Sequence, residues 1–407
     1  MIKNKYRFSF ICIFISLLWS FCWTLSDSFQ LPQPKGLART RIAELARIRF
    51  NSEDDDEPPM LGKVVVITGA AGGIGRELSN ILYSIGATIV ALDRNENGLK
   101  EMKNSIPSND TRFFSYVMKQ EDLNSVAEVA DRIQCKFETI DILINNAGLG
   151  YTEDYVLGSQ QMMSAHGKDL CFTVNYLSHF LFTEKLIPSI SNSNYGRIVH
   201  LTSTFSWKVD GSALLPNIDG KDKDPIAYRS DPEKQHFNHV DRSYAISKFA
   251  QIWHSRSIHE STNCASVCAC PTWAATGIAG KENEDFLKQF AFPVSNCGPG
   301  VTSALNAILR TDGELGDALN DGKSFVANSR IIEYIRFKDI WYTSKFITNT
   351  WILRDIFTNI LAFIILLGQR YTHEEFIIQQ TSPESFNDEK KRKLFHQWSL
   401  NEVKPWL

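Results

Sequence analysis

From residue 63 onward, short apolar runs alternate along the chain with stretches long enough to form helices. Buried parallel strands have near-continuous apolar sequences, and strands that alternate with helices indicate βαβ units. The predicted strands are Val64–Thr68, Thr88–Asp93, 112–117, 140–145, 197–202 and Ala265–Cys270. The pattern therefore predicts an α/β fold with a parallel sheet, built as one core of about 250 residues with extensions.

The apolar pattern is different at the N-terminus. Residues 1–7 carry Lys3, Lys5 and Arg7. Residues 8–25 form an uncharged stretch that is long enough to cross a bilayer core. This segment predicts a signal anchor or a signal peptide, and the lack of a clear small-residue cleavage pattern favours a retained transmembrane helix. The basic flank would then face the cytosol.

Residues 26–60 have the composition of a linker with one short helix. Pro32 and Pro34 are followed by a basic stretch at 35–49 and by an acidic run at 53–57. A basic, acid-poor stretch after an apolar leader also resembles a bipartite plastid-targeting presequence. The sequence therefore favours the endoplasmic reticulum membrane, with the plastid as the alternative location.

A second apolar region precedes the C-terminus. Residues 356–369 are uncharged, which is short for a full membrane span, and Trp341, Tyr342, Phe346 and Trp351 lie upstream. This region is either a monotopic membrane contact or a core helix.

Charge and cysteine content narrow the classes of partner. The chain has 43 basic and 46 acidic residues, a net charge of −3, which gives no reason to expect nucleic acid binding. Its eight cysteines have neither zinc-site spacing nor the density of a disulfide scaffold, so we predict no metal site.

A glycine-rich turn lies directly after the first predicted strand. The sequence Thr68-Gly-Ala-Ala-Gly-Gly-Ile-Gly75 leads into a helical pattern. Glycines there permit a tight turn and close backbone approach, and the helix N-terminus offers free N–H groups to a pyrophosphate. The turn predicts dinucleotide binding.

Asp93 and Arg94 end the second predicted strand, about twenty residues after the turn. An acidic side chain at this position receives the ribose hydroxyls and repels a 2′-phosphate, which favours NAD. Arg94 could instead pair with that phosphate, so the cofactor is NAD or NADP.

Tyr244 and Lys248 are four residues apart and would share one face of a helix. An ammonium beside a phenol lowers the pKa of the phenol from about 10 toward a value useful for proton transfer. The pair predicts an acid–base device.

Five ordered motifs between residues 61 and 310 resemble the short-chain dehydrogenase/reductase family. They are Thr-Gly-x-x-x-Gly-x-Gly, Asn145-Asn-Ala-Gly148, Asn175, Ser203 and Tyr-x-x-x-Lys. Residues 172–186 and 244–250 resemble its retinol-dehydrogenase-like branch. The resemblance implies a Rossmann-type doubly wound parallel sheet in a single domain.

The resemblance also implies roles for individual residues. Tyr244 would handle the proton, Lys248 would lower its pKa and hold the nicotinamide ribose, and Ser203 would bind the substrate carbonyl. Asn175 would hold a water that passes the proton to Lys248. Cofactor contacts would come from Thr68, Gly69, Gly73, Ile74, Gly75, Asp93, Arg94, Asn146, Ala147, Gly148, Tyr244, Lys248, Pro271 and Thr276.

Three positions depart from the family pattern. Pro271-Thr272 replaces a common Pro-Gly pair, and the interval from Ser203 to Tyr244 is long and polar, which predicts a surface loop near the pocket. The family's Asp-Leu pair that meets the adenine aligns best with Lys119-Gln120, so adenine recognition is unassigned.

The predicted organisation is an anchor or signal peptide at 1–25, a linker at 26–60, the NAD(P)-binding core at 61–314, an apolar insertion at 315–375 and a C-terminal helix at 376–407. The predicted function is an oxidoreductase that acts on a carbonyl or alcohol of a lipophilic substrate that is retinoid-, steroid- or lipid-like. The alternatives are a non-catalytic nucleotide-binding scaffold and a plastid enzyme similar to protochlorophyllide reductase. Family analogy implies homodimers, and residues 315–375 would either block the usual interface or supply another.

Overall fold

The computed structural model describes the core and its C-terminal helix. The described residues are 36–150, 163–203, 206, 209, 211–215, 238–271, 274, 276, 294, 296–320, 324–326, 378–380 and 388–407. Across these ranges, no helix is both long enough and apolar enough to cross a membrane. The predicted anchor at 1–25 and most of the predicted insertion at 315–375 lie outside the described residues.

Within the described ranges, one sheet of eight strands organises the fold. The strands are β1 Val64–Thr68, β2 Thr88–Asp93, β3 Phe113–Val117, β4 Ile142–Asn145, β5 Arg197–Leu201, β6 Ala265–Cys270, β7 Ser324–Val326 and β8 Ile378–Gln380. Their order is β3-β2-β1-β4-β5-β6-β7-β8. All neighbouring pairs are parallel except β7 with β8. The predicted parallel α/β sheet is confirmed, and β7 and β8 extend it beyond the six predicted strands.

Helices cover both faces of the sheet. They are α1 Arg39–Phe50, α2 Gly73–Ser84, α3 Glu96–Asn104, α4 Leu123–Lys136, α5 Leu170–Phe172, α6 Ser178–Ser191, α7 Asn238–Ser261, α8 Pro299–Leu309, α9 Asp312–Asn320 and α10 Glu389–Val403. A π-helical turn, Thr173–Leu177, joins α5 to α6. Short 3-10 turns occupy Ser212–Leu214 and Lys404–Trp406.

Alternate residues of each central strand face opposite layers of the core. Val65 and Ile67 of β1 pack with α1, α2, α3 and α8, whereas Val66 packs with α4, α6, α7 and α10. Because both faces are buried, most positions of such a strand are apolar, which explains the near-continuous runs in the sequence. This two-sided burial gives the three-layer architecture that the pattern predicts.

Helix α1 lies within the stretch 26–60 that the sequence predicts to be a linker with one short helix. The helix is present, but it is not part of a linker, because its side chains Leu45, Ala46 and Phe50 are buried in the core. Nη2 of Arg49 donates to the Tyr195 backbone oxygen at 2.8 Å, and the Phe50 and Tyr195 rings meet edge to face. Residues 39–50 are thus part of the packed core.

Helix α10 packs on the opposite side, against α7 and the π-helical turn. The Phe395 ring stacks on Tyr176 at 5.1 Å, and Trp398 stacks on Phe395 at 5.7 Å. Glu260 of α7 accepts two hydrogen bonds from Arg392. Within the stretch 376–407, predicted to be one C-terminal helix, residues 378–380 instead form strand β8, and helix α10 spans Glu389–Val403.

Candidate active site

A cleft of about 640 Å³ opens at the carboxyl ends of the parallel strands. It lies where β1 and β4 are neighbours and their crossovers diverge to opposite sides of the sheet, which is the usual ligand crevice of an open α/β sheet. Its lining residues are Gly69, Gly72, Gly73, Ile74, Asp93, Arg94, Gln120, Glu121, Asn146, Ala147, Gly148, Leu149, Gly150, Leu170, Val174, Leu201, Thr202, Tyr244, Lys248, Pro271 and Thr276.

The glycine turn forms the floor of this cleft, between β1 and α2. Gly69 has a φ of 65°, and a Cβ there would lie 2.8 Å from the Cα atom of Ala147. A Cβ on Gly75 would lie 2.1 Å from the Gly69 carbonyl oxygen. Only glycine fits these positions without moving backbone, so the turn keeps α2 close to β1 and its N–H groups open to the cleft.

Thr68 connects the turn to the loop after β4. Its hydroxyl oxygen accepts from the backbone N–H groups of Asn146 and Ala147, both at 3.0 Å. The Asn146 side chain in turn donates to the Thr68 carbonyl at 2.7 Å. Thr68 and Gly75 therefore shape the cleft from behind its surface, while Asn146, Ala147 and Gly148 line it.

Asp93 lies at the carboxyl end of β2, within the cleft. One of its oxygens accepts from the Ala71 N–H at 2.9 Å and the other from the Asn95 N–H at 2.8 Å. These bonds hold the carboxylate beside the glycine turn, with Arg94 also in the lining. This is the position expected for a group that meets a ribose.

Tyr244 is hydrogen-bonded to Ser203 through their side chains. Burial is the main influence on the phenol and raises its pKa, while the bond from Ser203 acts in the opposite direction. The sequence predicts a lowered pKa, so the direction here is the reverse of that prediction. A buried phenolate lacks solvation, and a single hydroxyl partner does not replace it.

Lys248 explains part of this difference. Its Nζ donates to the Leu201 backbone oxygen at 2.7 Å and lies 5.7 Å from the centre of the Tyr244 ring. Burial lowers the pKa of Lys248 to about 8. The predicted i,i+4 neighbours do meet on α7, and the ammonium is hydrogen-bonded to the backbone at the end of β5.

Asn175 lies in the π-helical turn and is fully buried. Its Oδ1 accepts from the Leu149 N–H at 2.7 Å, and its Nδ2 donates to the Leu149 oxygen at 2.9 Å and to Ser247 at 3.0 Å. Asn175 thus ties the loop after β4 to α7, one residue before Lys248. Its predicted role in holding a water stays a prediction.

The remaining predicted residues lie on the far wall. Pro271 and Thr276 line the cleft, and the Thr276 methyl group would be 3.2 Å from a Cβ on Gly73. The Thr276 side chain therefore lies next to the glycine turn.

Several lining residues were not predicted from the sequence. Leu149 and Gly150 simply continue the Asn-Asn-Ala-Gly motif, which offered a signal. Leu170 and Val174 come from α5 and the π-helical turn, Leu201 and Thr202 come from the end of β5, and none of them carries a motif of its own. Gln120 was noted only as a departure from the family pattern.

The comparisons with known proteins agree with this geometry. The family model described as short chain dehydrogenase matches residues 63–213. The chain is 33% identical over 255 residues to short-chain dehydrogenase/reductase family 16C member 6 of Bos taurus, covering 61% of this chain and 70% of that protein. It is 24% identical over 223 residues to human estradiol 17-beta-dehydrogenase 11, covering 53% of this chain and 63% of that protein.

Among solved structures, a putative short chain dehydrogenase from Shigella flexneri complexed with NADP matches with a TM-score of 0.47 and 20% identity. That match covers 67% of this chain and 99% of the other.

Fold, cleft and sequence relatives define a dehydrogenase/reductase of CH–OH and C=O groups that uses NAD or NADP. The chain belongs to the short-chain dehydrogenase/reductase family, in its retinol-dehydrogenase-like branch.

Proposed function

We propose that this protein is a membrane-anchored oxidoreductase that moves a hydride between a nicotinamide cofactor and the carbonyl or alcohol carbon of a lipophilic molecule. The observation that carries the proposal is the hydrogen bond that Ser203 makes with Tyr244, which lines the same cleft as the glycine turn. A non-catalytic nucleotide-binding scaffold would have no need of this hydroxyl pair.

The dinucleotide, when bound, supplies or accepts the hydride at its nicotinamide ring. The close approaches at Gly69 and Gly75 fit its phosphates, because a Cβ at either position would meet backbone. Asp93, whose carboxylate is fixed by two backbone N–H groups, would receive the ribose hydroxyls. Pro271 and Thr276 would close over the nicotinamide end.

The protein's own part in the reaction is proton transfer and orientation. In the reducing direction, Tyr244 gives its proton to the oxygen of the substrate, and Ser203 holds that oxygen. A raised pKa suits a group that rests as a phenol and releases its proton only as negative charge develops on the substrate. In the oxidising direction, the deprotonated Tyr244 phenolate oxygen takes the proton from the alcohol.

Lys248 and Asn175 would return the proton to Tyr244. With a pKa of about 8, Lys248 changes protonation state close to neutral pH, which suits a relay group. Its present partner is the Leu201 carbonyl, so it would turn toward the ribose and the phenol on cofactor binding. Asn175 would support this exchange through a water, from the position that its bonds to Leu149 and Ser247 fix.

We propose a retinoid-, steroid- or lipid-like substrate. Two observations support this class. The cleft wall includes Leu149, Leu170, Val174 and Leu201, and one relative is an estradiol 17-beta-dehydrogenase by name. The apolar segment 8–25 would hold the enzyme at a membrane where such molecules partition, in the endoplasmic reticulum. We further propose that NAD is preferred because of Asp93, and that the protein forms homodimers.

The test is turnover by the full chain, purified in detergent. Absorbance at 340 nm is followed with NAD and with NADP against retinoid, steroid and aliphatic alcohols, beside the Ser203→Ala variant. We expect turnover with at least one lipophilic alcohol and a loss of about 10²- to 10³-fold in Ser203→Ala. Cofactor binding without turnover on the whole panel would favour the non-catalytic scaffold instead.

The location is tested separately, with a fluorescent protein fused to residues 1–60. Endoplasmic reticulum labelling is expected, and plastid accumulation would contradict that assignment.

A further inference from the structure

Gln120 is a buried polar residue in the wall of the cleft, three positions after the end of β3. Its relative exposure is 6%, yet it is among the lining residues. Its side-chain amide nitrogen lies 3.1 Å from Nε2 of His179 on α6. The orientation of this carboxamide decides whether a donor or an acceptor faces the cleft.

The hydrogen bonds of His179 settle its tautomer. Its Nδ1 lies 3.1 Å from the backbone oxygen of Asn175, and a carbonyl can only accept, so Nδ1 carries the proton. His179 is 1% exposed, and burial lowers its pKa to about 3, which keeps the ring neutral. Its Nε2 must therefore be an acceptor.

Two donors meet this nitrogen. The Thr68 hydroxyl, whose oxygen already accepts from two backbone N–H groups, lies 3.0 Å from this nitrogen and 3.4 Å from the Ile144 backbone oxygen, so its proton has two acceptors within reach. The Gln120 amide is the second donor, so its NH₂ group must point to His179. The opposite end of the carboxamide, Oε1, then points away from His179.

Oε1 of Gln120 has no hydrogen-bond partner within the described residues. This oxygen is also not fully buried, so it is accessible to solvent. Since Gln120 lines the cleft, this oxygen opens into it. Gln120 therefore presents an acceptor to the cleft whose direction depends on His179.

The position of this acceptor along the cleft indicates what it would meet. In the sheet order, β3 lies at one edge, next to β2, which ends at Asp93, and then β1, which leads into the glycine turn. Tyr244 lies on the other side of the cleft, near β5 and β6. A dinucleotide with its pyrophosphate on the turn and its ribose at Asp93 would extend its base toward β3. Gln120 lies at that end.

We propose that Oε1 of Gln120 accepts a hydrogen bond from the exocyclic amine of adenine, and that His179 is the positioning residue that keeps this oxygen turned to the cleft. This inference rests on the proposed dinucleotide binding. It assigns base recognition to an amide oxygen at a position where the family pattern has an apolar residue.

The proposal predicts selectivity between two dinucleotides that differ at one atom. In the hypoxanthine analogue of the cofactor, a carbonyl oxygen replaces the amine, so two acceptors would face each other. Affinities are measured by calorimetry on the full chain in detergent, with whichever of NADH and NADPH binds more tightly and with its hypoxanthine analogue.

The wild type is expected to prefer the adenine form by about tenfold. In Gln120→Leu this ratio should fall to about one, and in His179→Asn it should fall at least several-fold, because the amide is no longer held. Gln134→Leu is the matched control, since Gln134 of α4 donates to the Lys185 backbone oxygen and does not line the cleft, and it should keep the wild-type ratio. Thermal unfolding of each variant shows whether it is folded.

A preference that survives in folded Gln120→Leu, or a wild type that binds both forms equally, would overturn the inference while leaving the proposed function intact. A wild type that binds neither form would instead contradict dinucleotide binding, and with it the proposed function.

Discussion

The Tyr176 hydroxyl donates a hydrogen bond to Oγ of Ser399 at 2.7 Å, across 223 positions of the sequence. The direction is fixed because Ser399 itself donates to the Phe395 backbone oxygen at 3.0 Å. Both residues are at most 1% exposed. The bond joins the C-terminal helix α10 to the residue that follows Asn175 in the π-helical turn.

This geometry predicts unequal costs at the two ends of the bond. Ser399→Ala leaves the buried Tyr176 hydroxyl without a partner and should lower the free energy of unfolding by about 1–3 kcal/mol. Tyr176→Phe leaves Ser399 bonded to Phe395 and should cost less. The double variant should be more stable than Ser399→Ala alone, as measured by urea unfolding. If the stability losses of the two single variants add in the double variant, Tyr176 is not the donor of this hydrogen bond.

Three buried histidines predict acid sensitivity. Burial lowers the pKa of His179 to about 3, and it lowers those of His200 and His254 well below 6.5. The unfolded chain therefore binds more protons than the folded one between pH 6.5 and about 3, so stability falls as pH drops through that window. Each pKa unit corresponds to about 1.4 kcal/mol.

Urea unfolding at pH 7.5, 6.0 and 5.0 should show this loss, and His200→Leu should have a shallower pH dependence than the wild type. A stability that is flat from pH 7.5 to 5.0 would contradict the burial of neutral rings.

Glycine replacement in the βα turn should abolish cofactor binding. In Gly75→Ala, the new methyl group meets the Gly69 carbonyl oxygen at 2.1 Å, so the turn must open. We expect cofactor affinity to fall by at least about 100-fold, or about 2.7 kcal/mol. Gly316→Ala is the control, because a Cβ there has no neighbour within 4 Å, and it should bind as the wild type does. Equal affinities in all three proteins would rule out phosphate binding at the turn.

Asp93 should set the choice between NAD and NADP. Asp93→Asn removes the negative charge and keeps an oxygen that can accept from the Ala71 N–H. The ratio of kcat/KM for NADP over NAD should rise about tenfold, equivalent to about 1.4 kcal/mol. Asp388→Asn, at the start of α10, should leave the ratio unchanged. If the ratio of kcat/KM for NADP over NAD is unchanged in Asp93→Asn, Asp93 does not determine the cofactor preference.

The sequence predicts the parallel sheet well, because strands buried on both faces carry apolar runs that stand out from their surroundings. It also predicts the glycine turn, whose residues are adjacent in the chain. Short strands such as β7, with three residues, carry too little pattern to be recognised. Helix α1 was expected as part of a linker, since its many arginines hide the apolar side that packs on the core.

Within the site, the motifs predict which residues meet but not how they are bonded. Tyr244 and Lys248 share a face of helix α7, yet Nζ of Lys248 is hydrogen-bonded to Leu201 of strand β5. Burial is the main influence on the pKa of the Tyr244 phenol. The bond between Gln120 and His179 joins residues 59 positions apart. Such pairings depend on how distant elements pack, which local sequence does not specify.

The central claim is that Tyr244 transfers the proton. The decisive measurement compares kcat and cofactor affinity in the wild type, in Tyr244→Phe and in Tyr116→Phe, a half-buried tyrosine of β3 that serves as control. The account predicts that Tyr244→Phe loses about 10²- to 10⁴-fold in kcat, while its cofactor affinity stays within about threefold of the wild type. Tyr116→Phe should retain full activity. Wild-type turnover by Tyr244→Phe would contradict the account.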